Sequence, residues 1–184
     1  MTTLSGQASS DLDGDLVPAD VLRATMRQHV AGVAVITTSD GGPVGFCATS
    51  LTSVSLDPPC VSFNVAAAST SGRAWRNARY GIIHLLNGDQ AEVAARFARS
   101  GADKFSGNLA WRWGPGGAPL IDSVLAWMLV SPRHRLLVGD HMLIICDVRK
   151  TSTTPAAAGP LIRHDGGFYA MPVRKPRVSA LFGA

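Results

Sequence analysis

The strongest constraint on this chain is the spacing of its apolar residues, which follow a strand period or a short apolar run in six separate segments. These are 32–38, 44–50, 60–65, 80–86, 124–130 and 141–148. Segment 60–65 (Cys-Val-Ser-Phe-Asn-Val) alternates apolar and polar residues as a half-buried strand does. Turn chemistry separates the segments: Asp40-Gly41-Gly42-Pro43 reads as a hairpin turn and Leu56-Asp57-Pro58-Pro59 as a breaker. Helical patterns do not alternate regularly with the strands, which disfavours a doubly wound parallel sheet. The expected class is mainly β with peripheral helices, a six-stranded antiparallel Greek-key barrel.

Three helices are expected. Asp20 is an N-cap for a short first helix carrying Val21, Leu22, Thr25, Met26 and His29. Ser71 is the cap for a second through Ala74, Trp75 and Ala78. Asn87 with Gln90 forms a capping box ahead of Val93, Ala94, Phe97 and Ala98. Residues 1–17 are Ser-, Gly- and Asp-rich without periodicity and read as a loosely packed acidic arm; 18–172 form one domain, and 173–184 a basic tail. A chain of 184 residues buries a core large enough to need no disulfide or structural metal. Its three cysteines, Cys47, Cys60 and Cys146, are unpaired in pattern, which suits the reducing cytoplasm. No apolar run approaches the ~20 residues of a membrane span.

The net charge of +4 hides an asymmetry. The first twenty residues hold Asp11, Asp13, Asp15 and Asp20 and no base, so the other 164 carry 17 basic and 9 acidic groups, a balance of +8. Such a field attracts phosphate-bearing ligands. The bases are scattered, without the aromatic-interleaved stripe of a single-strand binder, so nucleic acid is not the expected partner. With Glu92 the only glutamate, a paired-carboxylate hydrolase is hard to build. Dinucleotide-fingerprint, phosphate-loop, zinc and nucleophile-elbow patterns are absent from the sequence. His134, His141 and His164 lack Cys or carboxylate partners at ligand spacing.

Three segments carry candidate chemistry. In 45–59 small hydroxyl residues crowd a strand end, where Cys47, Ala48, Thr49 and Ser50 offer donors in line to the polar edge of a flat heterocycle. In 69–75 (Ser-Thr-Ser-Gly-Arg-Ala-Trp) hydroxyls coincide with a helix start beside an arginine, a combination that suits phosphate. Gly139-Asp140-His141 places a histidine at the mouth of a strand. Taken singly, each also reads as ordinary turn and capping chemistry. His84, inside an apolar strand, reads as a hydrogen-bonded core histidine, and Trp111 and Trp113 as side chains that pack a Gly-rich loop.

The stretch 32–59, with its Gly-Val-Ala-Val-Ile-Thr-Thr strand and Gly-Phe-Cys-Ala-Thr-Ser-Leu-Thr-Ser-Val-Ser-Leu-Asp-Pro-Pro, resembles the flavin reductase-like family of FMN-binding split-barrel reductases. The likeness continues through Gln90 to Phe97, Asp103-Lys104-Phe105, Gly139-Asp140-His141, Gly159-Pro160-Leu161 and Gly167-Phe168-Tyr169. It implies a homodimer of six-stranded split barrels that binds FMN or FAD near the subunit interface. Cys47, Ala48, Thr49 and Ser50 then lie at the flavin edge, Asn64 near the ribityl chain, and Ser69 and Ser71 at the phosphate. Arg96, Lys104 and Phe105 fall at the margin of the flavin site, and His141 on the nicotinamide side. Cys47 stands where the family pattern carries Thr, and His84 where it carries Asn. The implied reaction is hydride transfer from NADH or NADPH to flavin, which supplies reduced flavin to a partner monooxygenase. Two other readings remain open at this point: a split-barrel oxidase or monooxygenase acting on an organic substrate, and a non-enzymatic flavin-binding module.

Overall fold

The computed structural model describes residues 16–101, 103–154 and 158–173. The expectations for the acidic arm and the basic tail therefore lie outside the described residues, apart from Leu16, Val17 and Val173. In chain order the elements are α1 (Ala19–Met26), β1 (Ala31–Gly32), β2 (Ala34–Ser39), β3 (Pro43–Ala48), β4 (Thr52–Leu56), β5 (Pro59–Ala66) and α2 (Thr70–Asn77). They continue with β6 (Gly81–Leu85), α3 (Ala91–Ala98), β7 (Trp111–Trp113), β8 (Pro119–Ile121), β9 (Ala126–Val138), β10 (His141–Thr153), β11 (Leu161–His164) and β12 (Gly167–Ala170).

All six expected strands fall in one antiparallel sheet of order β3-β2-β6-β9-β10-β5-β4. Its seventh member, β4 (Thr-Ser-Val-Ser-Leu), was not expected as a strand, because three of its five residues are polar and it is covered on one edge only. Two small sheets, β1-β11-β12 and β7-β8, flank it, and among the described residues none of the three closes on itself. The large sheet nevertheless coils strongly. Its two edge strands, β3 and β4, are consecutive in the chain and separated by residues 49–51 alone. Four Cα steps span at most about 14 Å, whereas a flat seven-strand sheet would hold its edges roughly 29 Å apart. The edges are thus drawn round to face each other.

Ser50 sits in that link. The β4–β5 register pairs Thr52 with Ser62 and would next set Ser50 opposite Asn64. There the Ser50 hydroxyl, not its carbonyl, accepts the Asn64 N–H at 2.9 Å. Ser50→Ala is expected to cost about 1 kcal/mol, seen as a fall of roughly 2–4 °C in thermal midpoint.

The inward side chains of the coil form the main core, with Ile36, Val61, Phe63, Trp75, Ile83 and Ile144 at its centre. Strand β5 keeps the expected alternation: Val61, Phe63 and Val65 are buried while Asn64 and Ala66 are exposed. The other face of β2, through Val35 and with Val33 just before the strand, packs under α3 with Ala94 and Phe97. Strand β2 is therefore buried on both faces, as its apolar run requires. His84 is part of this interior and fully buried. Its Nδ1 lies 2.9 Å from the Val35 carbonyl and its Nε2 accepts the Ile121 N–H at 3.1 Å, so Nδ1 carries the proton.

Two capping expectations are corrected. Helix α1 starts after Pro18, and Asp20 lies inside its first turn instead of capping it. Helix α2 is capped by Ser69, whose hydroxyl accepts the Gly72 N–H at 2.9 Å. Ser71 lies two positions further in, buried, and donates its hydroxyl to the Gly45 carbonyl at 3.3 Å. The Asn87–Gln90 capping box forms as expected, on a short 3-10 turn that runs into α3. Trp111 pins the loop before it through its indole N–H to the Phe105 carbonyl at 2.9 Å.

Candidate functional site

The coiled edge of the sheet and the start of α2 enclose an open cavity of about 770 Å³. One wall is the end of β3 and the link after it, Cys47 to Ser50; another is the outward face of β5 at Asn64 and Ala66. The chain leaves β5, turns at 67–69 and enters α2, so the helix N-terminus lies against the same cavity. Cys47, Ala48, Thr49, Ser50, Asn64, Ser69, Ser71, Lys104 and His141 all line it. Phe105 lines a neighbouring depression, where its ring packs edge-on to Phe97 at 5.2 Å and to Trp111 at 5.1 Å. Arg96 lines neither: its guanidinium donates to the Ser106 carbonyl and to Asn108 Oδ1, both at 2.9 Å, and ties down the 103–109 loop.

Helix α2 presents donors to this space. The Arg73 N–H bonds the Ser69 carbonyl and the Gly72 N–H bonds the Ser69 hydroxyl. The N–H groups of Thr70 and Ser71 are left as the free first-turn donors of the helix. The hydroxyls nearby are less available than the sequence suggests, because Ser69 also donates to the Ala66 carbonyl at 2.7 Å and Ser71 is committed to Gly45. An anion here would be held by main-chain N–H groups and by Arg73. The Arg73 guanidinium folds back over the turn, donating to the Ala68 carbonyl at 2.6 Å and to Thr70 Oγ1 at 3.3 Å.

The cavity is cationic. Arg73, Arg99 and Lys104 line it, and no Asp or Glu does. Lys104 donates to the carbonyls of Gly45 and Phe97 at 3.1 and 3.2 Å, which fixes its ammonium between β3 and α3. Its partial burial lowers its pKa from the ordinary lysine value. Burial pushes the Cys47 thiol up to about 11, against opposing pulls from Arg163 and Lys104. Cys47 is therefore an uncharged thiol at neutral pH and a poor nucleophile. His141 opens β10, and its Nδ1 lies 2.7 Å from Asp140 Oδ1, an interaction that holds the Asp140 carboxyl below its ordinary value.

Arg73 and Arg99 are the lining cations not nominated from sequence. Arg73 was visible beside the hydroxyl cluster in 69–75; Arg99 follows α3 and carries no local signal. Among the described residues no helix is long and apolar enough to cross a membrane.

Geometry and donor chemistry together define a protein whose coiled antiparallel sheet carries an open cleft lined by Arg73, Arg99 and Lys104 and by no carboxylate. The chain belongs to the flavin reductase-like family: the pattern described as "Flavin reductase like domain" matches residues 26–172. It is 43% identical over 151 residues to an NADH:FMN oxidoreductase of Rhodococcus qingshengii, covering 80% of this chain and 79% of that one. It is 32% identical over 155 residues to the reductase subunit HsaB of a flavin-dependent monooxygenase from Mycobacterium tuberculosis, covering 83% and 82%. The crystal structure of a flavin reductase domain protein from Arthrobacter sp. FB24 superposes with a TM-score of 0.78 at 31% identity, covering 86% of this chain and 99% of that chain.

Proposed function

We propose that this chain is an NAD(P)H:flavin oxidoreductase that binds FMN or FAD in the 770 Å³ cavity and delivers reduced flavin to a separate monooxygenase. The observation that carries the reading is the coincidence, in one cleft, of two free helix N–H groups, three cations, no carboxylate and a strand end lined with small residues. Those features fit a phosphorylated flat heterocycle: Thr70, Ser71 and Arg73 would hold the phosphate, and the 47–50 strand end would hold the polar edge of the ring. The bound flavin supplies the hydride acceptor and the reduced nicotinamide the donor.

The residues around the cavity then have three tasks. The Thr49 and Ser50 link keeps the ring edge against main-chain donors that stabilise negative charge growing there. Lys104, clamped by two carbonyls, contributes a fixed positive charge without freedom to move. His141, oriented by Asp140, positions the nicotinamide. No residue is required as acid, base or covalent nucleophile, and the neutral Cys47 thiol agrees with that. His141→Ala should leave flavin affinity unchanged while raising the KM for NADH or slowing flavin reduction several-fold. Stopped-flow reduction separates the two, and unchanged values for both would remove His141 from this role.

The fold we assign to this sheet is the six-stranded split barrel of the family, supported by the coiled edges; β4 then serves as the added edge strand. The same reading makes the protein a homodimer. Leu136, Leu137 and Val138 are 50%, 70% and 63% exposed at the β9–β10 hairpin, next to His141, and they would be covered by a second copy. Sedimentation should give twice the chain mass. The cytoplasmic assignment is supported by three free thiols among the described residues. Calorimetric titration with FMN and with FAD tests the binding claim and ranks the two flavins.

A further inference from the structure

Helix α2, whose first turn faces the cavity, is eight residues long and ends without a glycine: Asn77 is followed by Ala78 at φ −56° and ψ 130°. The chain turns away there, and the last carbonyls of the helix are left without partners inside it. Arg135 of β9 meets them. Its Nε donates to the Trp75 carbonyl at 2.8 Å and its Nη2 to the Ala78 carbonyl at 2.6 Å. Among the described residues no carboxylate forms an ion pair with this guanidinium. The entry to the helix is tied to the same hairpin, because the Asp140 carbonyl, in the β9–β10 turn, accepts the Ala67 N–H at 3.0 Å. Asp140 also orients His141. One hairpin thus holds the chain before α2, the exit from α2 and the histidine beside the cavity.

We propose that Arg135 is a positioning residue for the flavin phosphate, acting through α2: its fork fixes the exit of the helix and thereby the aim of the Thr70 and Ser71 N–H groups at the entrance. The proposal rests on the flavin reading of the cavity. A helix of this length is about 12 Å long and moves as one rod. At its entrance Ser71 is bonded to the Gly45 carbonyl and Gly72 abuts the Ala66 carbonyl, which together make a pivot. Midway, the buried Trp75 ring packs edge-on to Phe63 at 4.9 Å and keeps the rod on the core. Its direction about the pivot is set at the far end, where Arg135 takes two carbonyls at once. Hydrogen bonds weaken steeply as the donor swings out of line, so a tilt of α2 weakens the hold on a phosphate. The ring wall at Cys47 to Ser50 is not carried by α2 and stays in place. The guanidinium charge also complements the negative end of the helix dipole. A lysine would keep that charge but not the two-carbonyl fork.

The test is calorimetric titration of the full chain with FMN and, separately, with riboflavin, which lacks the phosphate. Arg135→Gln should bind FMN about fivefold more weakly and riboflavin as well as the parent does. Arg135→Lys should fall between parent and Arg135→Gln for FMN. If Arg135→Gln fails to fold, Arg135→Met, which keeps the aliphatic stem and drops both bonds, is titrated in its place with the same expectation. A role in stability alone lowers the thermal midpoint and leaves the ratio of FMN to riboflavin affinity where it was, so the ratio is the deciding quantity. Parent affinity for FMN in the variant, equal losses for both ligands, or a lysine variant no better than Arg135→Gln would each overturn the assignment. Those results leave the flavin reading standing, whereas a parent protein that binds neither ligand removes the flavin reading and this role with it.

Discussion

A Gly72→Ala variant should bind FMN about a hundredfold more weakly and riboflavin almost as well as the parent. Gly72 is the third residue of α2, and a Cβ there would fall inside the Ala66 carbonyl oxygen and 2.9 Å from that of Ala67. Both obstacles are main chain and neither can swing aside, so the helix start must move away from β5. That movement breaks the Gly72 N–H bond to the Ser69 hydroxyl and displaces the free N–H groups of Thr70 and Ser71. Losing two hydrogen bonds to a charged phosphate costs about 3 kcal/mol, which is the hundredfold. The overpacking adds roughly 1–3 kcal/mol of lost stability. Riboflavin, which lacks the phosphate, is the internal control. Equal losses for both ligands would signal general distortion, and no loss for FMN would mean that α2 does not hold the phosphate.

The second large effect is on stability. Burial lowers the His84 pKa from 6.5 to about 4, opposed by its bond to Val35. The folded state thus keeps His84 neutral at pH values where the unfolded chain has already taken up a proton. Between pH 6.5 and about 4 the unfolded state binds more protons, and stability falls as pH falls. Each pH unit in that window is worth about 1.4 kcal/mol, giving about 3 kcal/mol in total, on the order of a quarter to half of an ordinary domain's stability. Above pH 6.5 the contribution is fully retained. Asp140 and Asp147, whose pKa values are lowered by His141 and Arg133, lose their stabilisation at lower pH, in the carboxylate range. Urea unfolding followed from pH 7 to pH 4 checks this, with His84→Gln expected to flatten the profile. The same slope in parent and variant would rule out His84 as the cause.

What the sequence made legible was local in character. The alternation in β5, the Gly41–Gly42 hairpin and the Asn87–Gln90 capping box each depend on residues adjacent in the chain, and each formed as expected. His84 was also readable as a core residue, because an apolar strand leaves a histidine nowhere else to go. The misreadings arise where distant packing decides. Ser69-Thr70-Ser71 offers two equivalent caps, and local chemistry does not choose between them. The choice falls to Ser69 because Gly72 must sit against the Ala66 carbonyl, which sets where the helix begins. Strand β4 is too polar to announce itself and exists because β5 offers it an edge. Strands β9 and β10 run 13 residues each, well past the expected 124–130 and 141–148. The added residues, 131–138 next to the turn and 149–153 at the open end of the pair, are mostly exposed and carry no burial pattern. At the site, the strand end, Ser69, Lys104 and His141 line the cavity as the motifs implied, but Arg96 is drawn away by Ser106 and Asn108, 10 and 12 residues further on, a loop contact that no local pattern announces. A basic groove lined by Arg23, Arg27 and Arg163 unites α1 with the β11–β12 turn, and that meeting exists only in three dimensions.

The most direct test of the whole account is the rate of NADH and NADPH consumption by the purified protein, with FMN or FAD added and no organic substrate present. A flavin reductase oxidises the nicotinamide under these conditions with saturation in both substrates, and the rate falls in Gly72→Ala with FMN. A rate no faster than the uncatalysed reaction for every flavin and nicotinamide pair, or turnover that appears only when an organic substrate is supplied, would contradict it.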